Sequence, residues 1–269
     1  GGRAGVDETT CFGTFAQVGC NGQSGGRGGG AGRKAVATVV GRTSLRKGTV
    51  CQVSEKASVL GSRIYVNNQK EYVDNAGDYG KGAATGATKL LEGAGYAKGA
   101  DGIYAKGGKK LAFRFSTTSG NALRETQGEL FKTQMKAIGI NIKIDNSKAP
   151  ILFGERLPKG NYDIADFAWV ATPFATSNKS IYSTGAGQNY GKYTNPKVDQ
   201  AFNDANNILD DAKRAEAFNA IDKLLWDDMV TIPLYQKPTF IAFSDKYVNI
   251  GDNASSAGPF WNVGTWGLK

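Results

Sequence analysis

The sequence contains no histidine, the residue that most often serves as a general base and as a zinc ligand. Catalytic sites of the Ser-His-Asp and Cys-His types, as they are usually built, are therefore excluded. An enzyme of this composition would have to use carboxylates, lysine or tyrosine for proton transfer. We expect a protein that is not an enzyme.

Cysteine is also scarce, with only Cys11, Cys20 and Cys51, all near the start of the chain. Their spacing is not the CxxC spacing of metal and redox centres, so we expect no metal and no cofactor. A Cys11–Cys20 bridge with Cys51 free is one arrangement, and three unpaired thiols are the other. The odd number leaves the redox compartment open.

Long apolar runs are missing as well. No stretch of about 18 apolar residues occurs, so we expect no membrane-spanning helix. Gly1–Thr10 lacks the charged and apolar regions of a signal peptide. We therefore expect neither a signal peptide nor a lipid anchor within this chain.

Large apolar residues are few in residues 1–60, which are rich in glycine, arginine and threonine. Gly25–Lys34 resembles a flexible basic segment within a chain of formal net charge +9. Such a segment is either a linker or an arm for single-stranded nucleic acid; the absence of interleaved aromatic residues favours the linker. Only Ala35–Val40 has the pattern of a strand. We expect residues 1–60 to be poorly packed, or unrelated to the rest.

The pattern of an α/β domain begins after residue 60. Alternating apolar residues predict a strand over Lys109–Ser116, and apolar residues at helical spacing predict a helix over Asn121–Ile138. Asn141–Asp145 and Tyr162–Val170 are the next predicted strands. A strand, a helix and a strand in this order indicate a parallel βαβ unit.

Further elements follow from capping residues and apolar spacing. Helices are expected to begin after caps such as Asn195, which precedes a proline, and to end at glycine. The additional predictions are helices at Ala84–Gly95, Lys197–Ile208 and Asp211–Asp228 and strands at Thr231–Tyr235 and Thr239–Phe243.

Six segments between residue 62 and about residue 250 resemble the later part of the peptide-type solute-binding proteins of ATP-binding-cassette (ABC) importers. That family includes oligopeptide, dipeptide and nickel-binding receptors. The segments occur in the family's order and are Ser62–Gly80, Ala87–Asn121, Glu125–Ile144, Asn161–Phe174, Asn189–Ala205 and Ala217–Phe243.

The resemblance implies an α/β fold, the C-terminal lobe of a bilobal periplasmic-binding-protein-like receptor. It implies a remnant of the first lobe at residues 61–104, a solute-binding lobe at 105–230, and strands returning toward the first lobe, near Ile232–Tyr235, at 231–269. It also implies an extracytoplasmic protein that binds a peptide or similar solute and delivers it to a membrane permease. We expect a monomer with no nucleic-acid partner.

Candidate binding residues follow from the rule that ligands lie beyond the carboxyl ends of parallel strands. The strand ending at Val170 leads into a loop, and the segment around Tyr190 resembles the family's later cleft segment. Aromatic rings there would provide apolar walls, and hydroxyl and amide groups would provide hydrogen bonds. Ordinary packing is the alternative for each ring. The candidates are Trp169, Thr172, Phe174, Ser177, Asn178, Asn189, Tyr190 and Tyr193.

One departure from the resemblance concerns charge. Many peptide receptors of the family carry an acidic residue shortly after the tryptophan, where it pairs with the peptide's amino group. Here no carboxylate follows Trp169 before Lys179. A buried ammonium without a counter-charge is costly, so a free peptide N-terminus is not expected as the ligand unless another lobe supplies the acid.

Two carboxylate pairs keep a hydrolytic alternative open, since two acids can carry out glycoside chemistry. Asp163 and Asp166 belong to one predicted strand, and Asp227 and Asp228 end a helix. We expect solvated or capping carboxylates at both places.

Overall fold

The computed structural model describes residues 4–7, 14–20, 34–36, 38, 40, 58–82, 84–170, 172, 174–237, 241–251, 253 and 258–269. In these residues an α/β arrangement surrounds one mixed six-stranded sheet. The strands are β1 (Ala4–Asp7), β2 (Thr14–Cys20), β3 (Ser58–Val59), β4 (Ala97–Lys98), β5 (Tyr104–Lys106), β6 (Lys109–Lys110), β7 (Ala112–Ser116), β8 (Asn141–Ile144), β9 (Ile164–Val170), β10 (Thr231–Lys237), β11 (Ile241–Ser244), β12 (Tyr247–Val248) and β13 (Gly267–Leu268).

Helices cover the sheet and form a second cluster beside it. The α-helices are α1 (Ala84–Gly93), α2 (Ala122–Ala137), α3 (Ala149–Ile151), α4 (Leu157–Lys159), α5 (Lys179–Tyr182), α6 (Pro196–Asn206) and α7 (Asp211–Asp227), with a π-helical turn at Leu152–Arg156 and 3₁₀ turns at Ala175–Asn178 and Gly258–Thr265. Within the described part of the chain, no helix combines the length and apolar character needed to cross a membrane.

The predicted βαβ unit is confirmed, because β7 and β8 pair in parallel on either side of α2. The Asn121 side chain caps α2 by accepting a hydrogen bond from the Arg124 backbone N–H at 3.1 Å. Gly139 follows the helix with φ of +78°, and a Cβ at that position would lie 2.6 Å from the Gly102 carbonyl oxygen. Glycine is therefore required at this turn.

The main sheet has the strand order β3-β10-β2-β9-β7-β8. Strand β9 is parallel to β7, whereas β2 pairs antiparallel with both β9 and β10. Because β2 joins them, β10 lies in the same sheet as β9. The expectation that the chain crosses back toward the first lobe near Ile232–Tyr235 stays a prediction.

The prediction of a strand at Ala35–Val40 is wrong, since residues 34–36 and 38 are helical. The Val40 backbone N–H donates to the Val36 carbonyl at 3.0 Å, and the Thr38 hydroxyl donates to the Lys34 carbonyl at 2.8 Å. Val36 and Val40 both join the main core, which one helix face allows. Composition also failed to predict β1, β2 and β3, which lie within residues 1–60.

A buried ion pair connects the segment after β3 to the helices. Arg63 Nη1 lies 3.4 Å from Asp222 Oδ1, and both side chains are fully buried. The Arg63 Nε donates to the Thr231 hydroxyl at 3.0 Å, and the guanidinium lies 4.0 Å from the centre of the Trp226 ring. The Asn75 amide donates to the other oxygen of Asp222 at 2.9 Å. Both oxygens of the Asp222 carboxylate thus accept hydrogen bonds.

We predict that Asp222→Ala destabilises the protein by about 3–5 kcal/mol, because it leaves the Arg63 guanidinium buried without its counter-charge. Asp227→Ala removes an exposed carboxylate from the same helix and serves as the control. The free energy of unfolding in urea measures both. Equal effects of the two variants would contradict the assignment.

Candidate functional site

An aromatic pair lies at the carboxyl end of β9, with one ring from the strand and one from a later loop. The ring of Trp169 stacks on that of Tyr190, with centroids 6.1 Å apart and planes 7° from parallel. Phe167 contacts both rings edge-on, at 5.4 Å from Trp169 and 6.1 Å from Tyr190. Both members of the stack are half-buried, so neither ring is enclosed in the core.

A small cavity of about 30 Å³ borders this stack, room for about one water molecule. Its lining contains no charged side chain and comprises Tyr162, Phe167, Trp169, Ile181, Tyr182, Gln188, Asn189, Tyr190, Gly191, Val230 and Thr231. The indole Nε1 of Trp169 is buried and has no hydrogen-bond partner among the residues that the structure describes. A donor without an acceptor therefore stands at the edge of the cavity.

The loop that presents Tyr190 is held by Asn189. Its side-chain amide donates to the carbonyls of Ser183 at 3.0 Å and Tyr193 at 2.7 Å, and its oxygen accepts from the Tyr193 N–H at 3.0 Å. The Tyr162 hydroxyl donates to the Tyr190 carbonyl at 3.0 Å. The amide of Asn189 is thus used within the loop itself and positions Tyr190.

The side chain of Tyr193 is directed to the end of α7. Its hydroxyl donates to Asp228 Oδ2 at 2.6 Å, and the Asn195 amide donates to the same oxygen at 2.7 Å. Burial, followed by the hydrogen bond to Asp228, raises the pKa of Tyr193 above its usual range. This phenol is a neutral donor that is already engaged.

The remaining predicted residues lie together in the turn after β9. The Thr172 and Ser177 hydroxyl oxygens are 2.9 Å apart, and the Ser177 hydroxyl donates to the Phe174 carbonyl at 2.8 Å. The Asn178 amide donates to the Ala175 carbonyl at 3.1 Å. The ring of Phe174 is 70% exposed.

The structure therefore divides the eight predicted residues into two groups. Trp169 and Tyr190 form the stack, with Asn189 and Tyr193 hydrogen-bonded to each other in the loop that presents Tyr190, and the other four form the turn. Among the described residues, no hydrogen bond or ring contact joins the turn to the stack. Their roles in binding a solute stay predictions.

The sequence analysis missed several residues that complete the stacked site. Phe167 was assigned only to the strand, although strand alternation places it on the same face as Trp169. Tyr162 and Gln188 also line the cavity. The buried Tyr182 lines it as well, and burial raises the pKa of its phenol to about 12. Tyr182 comes from the short α5, for which no pattern was recognised.

The acids of the β9 region do not form a catalytic pair. Asp163 is buried and accepts from the Arg114 backbone N–H at 2.8 Å and from Arg114 Nε at 3.2 Å. Asp166 is buried too, and neither of its oxygens has a hydrogen-bond partner in the structure. Burial raises the pKa of Asp166 to about 7, an effect reduced by the charge of Arg124. The expectation of solvated or capping carboxylates is wrong for both.

The second carboxylate pair, Asp227 and Asp228, lies at the end of α7. Asp227 is exposed at the end of α7, and Asp228 follows as its cap and accepts hydrogen bonds from Tyr193 and Asn195. This agrees with the expected solvated or capping roles.

The chain matches the model of the family described as bacterial extracellular solute-binding proteins, family 5 middle, over residues 31–219. It belongs to this family. The match begins at residue 31, whereas the recognised motifs began near residue 62. Family 5 proteins bind solutes for ABC importers, and the predicted resemblance is confirmed.

Curated relatives agree with this assignment. The oligopeptide-binding protein OppA of Mycobacterium tuberculosis is 24% identical over 220 residues, which are 81% of this chain and 37% of OppA. Protein XP55 of Streptomyces lividans is 28% identical over 200 residues, which are 68% of this chain and 35% of XP55. The family 5 chain described here thus spans little more than a third of these relatives.

Solved structures show the same fold. A periplasmic EDTA-binding protein, EppA, superposes with a TM-score of 0.88 at 24% identity, covering 99% of this chain and 50% of EppA. AppA from Bacillus subtilis, in complex with a nonapeptide, gives a TM-score of 0.84 at 21% identity, covering 99% of this chain and 52% of AppA. The predicted fold class is confirmed.

The raised pKa of Asp166 predicts a pH-dependent stability. An unfolded aspartate ionises near pH 3.8, so the folded state loses stability as pH rises from about 4 to about 7. We expect Asp166→Asn to abolish this loss. Relative to the unsubstituted protein, the variant should gain up to about 4 kcal/mol between pH 4 and pH 8.

Urea unfolding at pH 4, 6 and 8 measures this gain. Asp227→Asn, an exposed change, is the control and should follow the unsubstituted protein at each pH. If the free energy of unfolding changed with pH in the same way for Asp166→Asn and for the unsubstituted protein, Asp166 would not be desolvated in the folded state.

Proposed function

We propose that this family 5 protein is the solute-binding component of an ABC importer, and that it binds a peptide or similar small solute at the Trp169–Tyr190 stack. The solute would be bound reversibly outside the cytoplasm and passed to a membrane permease. Neither a nucleic acid nor a catalytic step is needed for this role. The observation that carries the proposal is the half-buried stack at the carboxyl end of β9, beside a cavity without charged residues.

The chemistry of the stack favours a solute with a planar or apolar part and a hydrogen-bond acceptor. A ring pair of this kind contributes apolar contact area at little cost in side-chain entropy. The buried Trp169 Nε1 has no acceptor in the structure, and an unsatisfied buried donor costs about 1–3 kcal/mol. A carbonyl or similar oxygen of the solute would remove that cost.

Structural neighbours illustrate the range of solutes that this fold accommodates. AppA from Bacillus subtilis was solved with a nonapeptide, and NikZ from Campylobacter jejuni with Ni(L-His). Their shared fold supports a binding role here. The identity of the solute depends on this chain's own side chains.

Native mass spectrometry of the gently purified chain tests the proposal. We expect a co-purified small molecule, and we expect Tyr190→Ala to lose it, because the substitution removes one half of the stack. Tyr247→Ala, which removes an exposed tyrosine on β12, should retain it. Retention of the same molecule by the Tyr190→Ala protein would contradict the assignment of the site.

A second prediction concerns charge. The uncharged lining and the absence of an acid between Trp169 and Lys179 leave a free ammonium without a counter-charge. We expect the dipeptide Ala-Ala to bind more weakly than the micromolar range, and its N-acetylated form to bind at least as tightly, because acetylation removes the uncompensated charge. Isothermal titration calorimetry measures both, and micromolar affinity that disappears on acetylation would contradict the prediction.

A further inference from the structure

A second and larger cavity lies on another side of the helical cluster. Its volume is about 400 Å³, within the usual range of small-molecule pockets. It is lined by the segment after β3, the turn after β9, the end of α6 and the start of α7. The lining residues are Tyr65, Glu71, Phe174, Ala175, Thr176, Asn206, Asp211, Arg214 and Phe218. None of them lines the cavity beside Trp169.

Aromatic rings form the apolar part of this second cavity. Phe218 is fully buried, and Tyr65 meets it edge-on, with ring centroids 6.5 Å apart and an interplanar angle of 90°. Phe174 contributes a ring that is 70% exposed. An apolar ring that is exposed to water has an unfavourable hydration free energy. A ligand that covers the ring would reduce this free energy.

The charged groups leave the cavity with one negative charge in excess. The Arg214 guanidinium forms an ion pair with Asp211 and also donates to the Ile208 carbonyl at 2.9 Å, so its charge and donors are engaged. Glu71 lies 3.7 Å from the ammonium of Lys70, whose side chain is 83% exposed. Such an exposed pair is weak. The carboxylate of Glu71 is thus largely available on a chain whose formal net charge is +9.

The phenol of Tyr65 adds a neutral polar group near Glu71. Burial, followed by the charge of Glu71, raises the pKa of Tyr65 to about 12, and Arg214 lowers it. The phenol therefore stays protonated at neutral pH. The main chain of Glu71 is fixed because its carbonyl accepts a hydrogen bond from the Asn219 amide at 3.0 Å. A carboxylate held next to aromatic rings matches an ammonium ion with an apolar body.

We propose that this cavity is a second binding site, which takes a small organic monocation. The ammonium group would lie against Glu71 and the aromatic rings, and its apolar body would contact Phe174 and Phe218. An anion is disfavoured, because the described lining carries two carboxylates, Glu71 and Asp211, against one guanidinium, Arg214. This site does not depend on the solute site at Trp169, and either can exist without the other.

Phenethylammonium, with the neutral phenethyl alcohol as its matched counterpart, is the probe for this site. We expect saturable binding of phenethylammonium to the intact chain by calorimetry. Glu71→Gln should weaken it at least tenfold, because the substitution removes the counter-charge, and should leave the weaker binding of the alcohol unchanged. Phe174→Ala should weaken both probes, because it removes a shared apolar contact.

Glu129→Gln is the control, since it neutralises an exposed acid on α2, outside the cavity. It should bind phenethylammonium as the unsubstituted chain does. Thermal unfolding establishes that each variant is folded. The proposal is overturned by the absence of saturable phenethylammonium binding, or by binding that Glu71→Gln and Phe174→Ala leave unchanged.

Discussion

The buried Arg63–Asp222 ion pair is the interaction on which the arrangement of both cavities depends. Two charges removed from water stabilise a fold only when their partners are well placed. Here the guanidinium also binds Thr231 of β10 and stacks on Trp226, whose indole N–H donates to the Gly61 carbonyl at 3.0 Å. The segment after β3 is thereby fixed to α7 and to the sheet at the same point.

This fixed segment contributes to both candidate sites. Leu60 and Val66 form a small cluster against which Trp169 packs, so the segment supports the stacked pair from below. In the same segment, Tyr65 and Glu71 line the larger cavity together with Phe218 of α7. A shift of this one short segment would therefore change two separate surfaces.

The accuracy of the sequence predictions depended on where the determining interactions lie. Helix α2 and the parallel pairing of β7 with β8 were predictable, because Asn121 and Gly139 act within a turn or two of the chain. The position of β10 in the sheet was not predictable, because β2, which pairs with both β9 and β10, lies more than a hundred residues earlier in the chain. Residues 35–40 were misassigned because a short apolar run fits a strand or a buried helix equally well.

The sequence predicted where the candidate residues lie along the chain and the strands, but not which contacts each side chain makes. The strand-end rule identified Trp169 correctly as a residue at the sheet edge, and the stack with Tyr190 could not have been derived from spacing alone. Asn189 has the amide of a typical binding residue, yet its three hydrogen bonds all remain within its own loop. Hydrogen-bond partners of a loop amide are set by the fold of the loop, which single-sequence patterns do not encode.

The distribution of charge separates the two cavities more sharply than their size does. The two acids of the β9 region are otherwise placed: Asp163 pairs with Arg114, and Asp166 is buried with its pKa raised to about 7. Strand alternation places Asp166 on the face of β9 opposite Trp169. Under the proposed function, a solute at the stack would be held by ring contact and neutral hydrogen bonds, which salt screens little. The larger cavity has the Glu71 carboxylate beside its rings, so charge would select the monocation proposed for it. The two cavities thus differ in the charge of their linings, and a single solute would not match both.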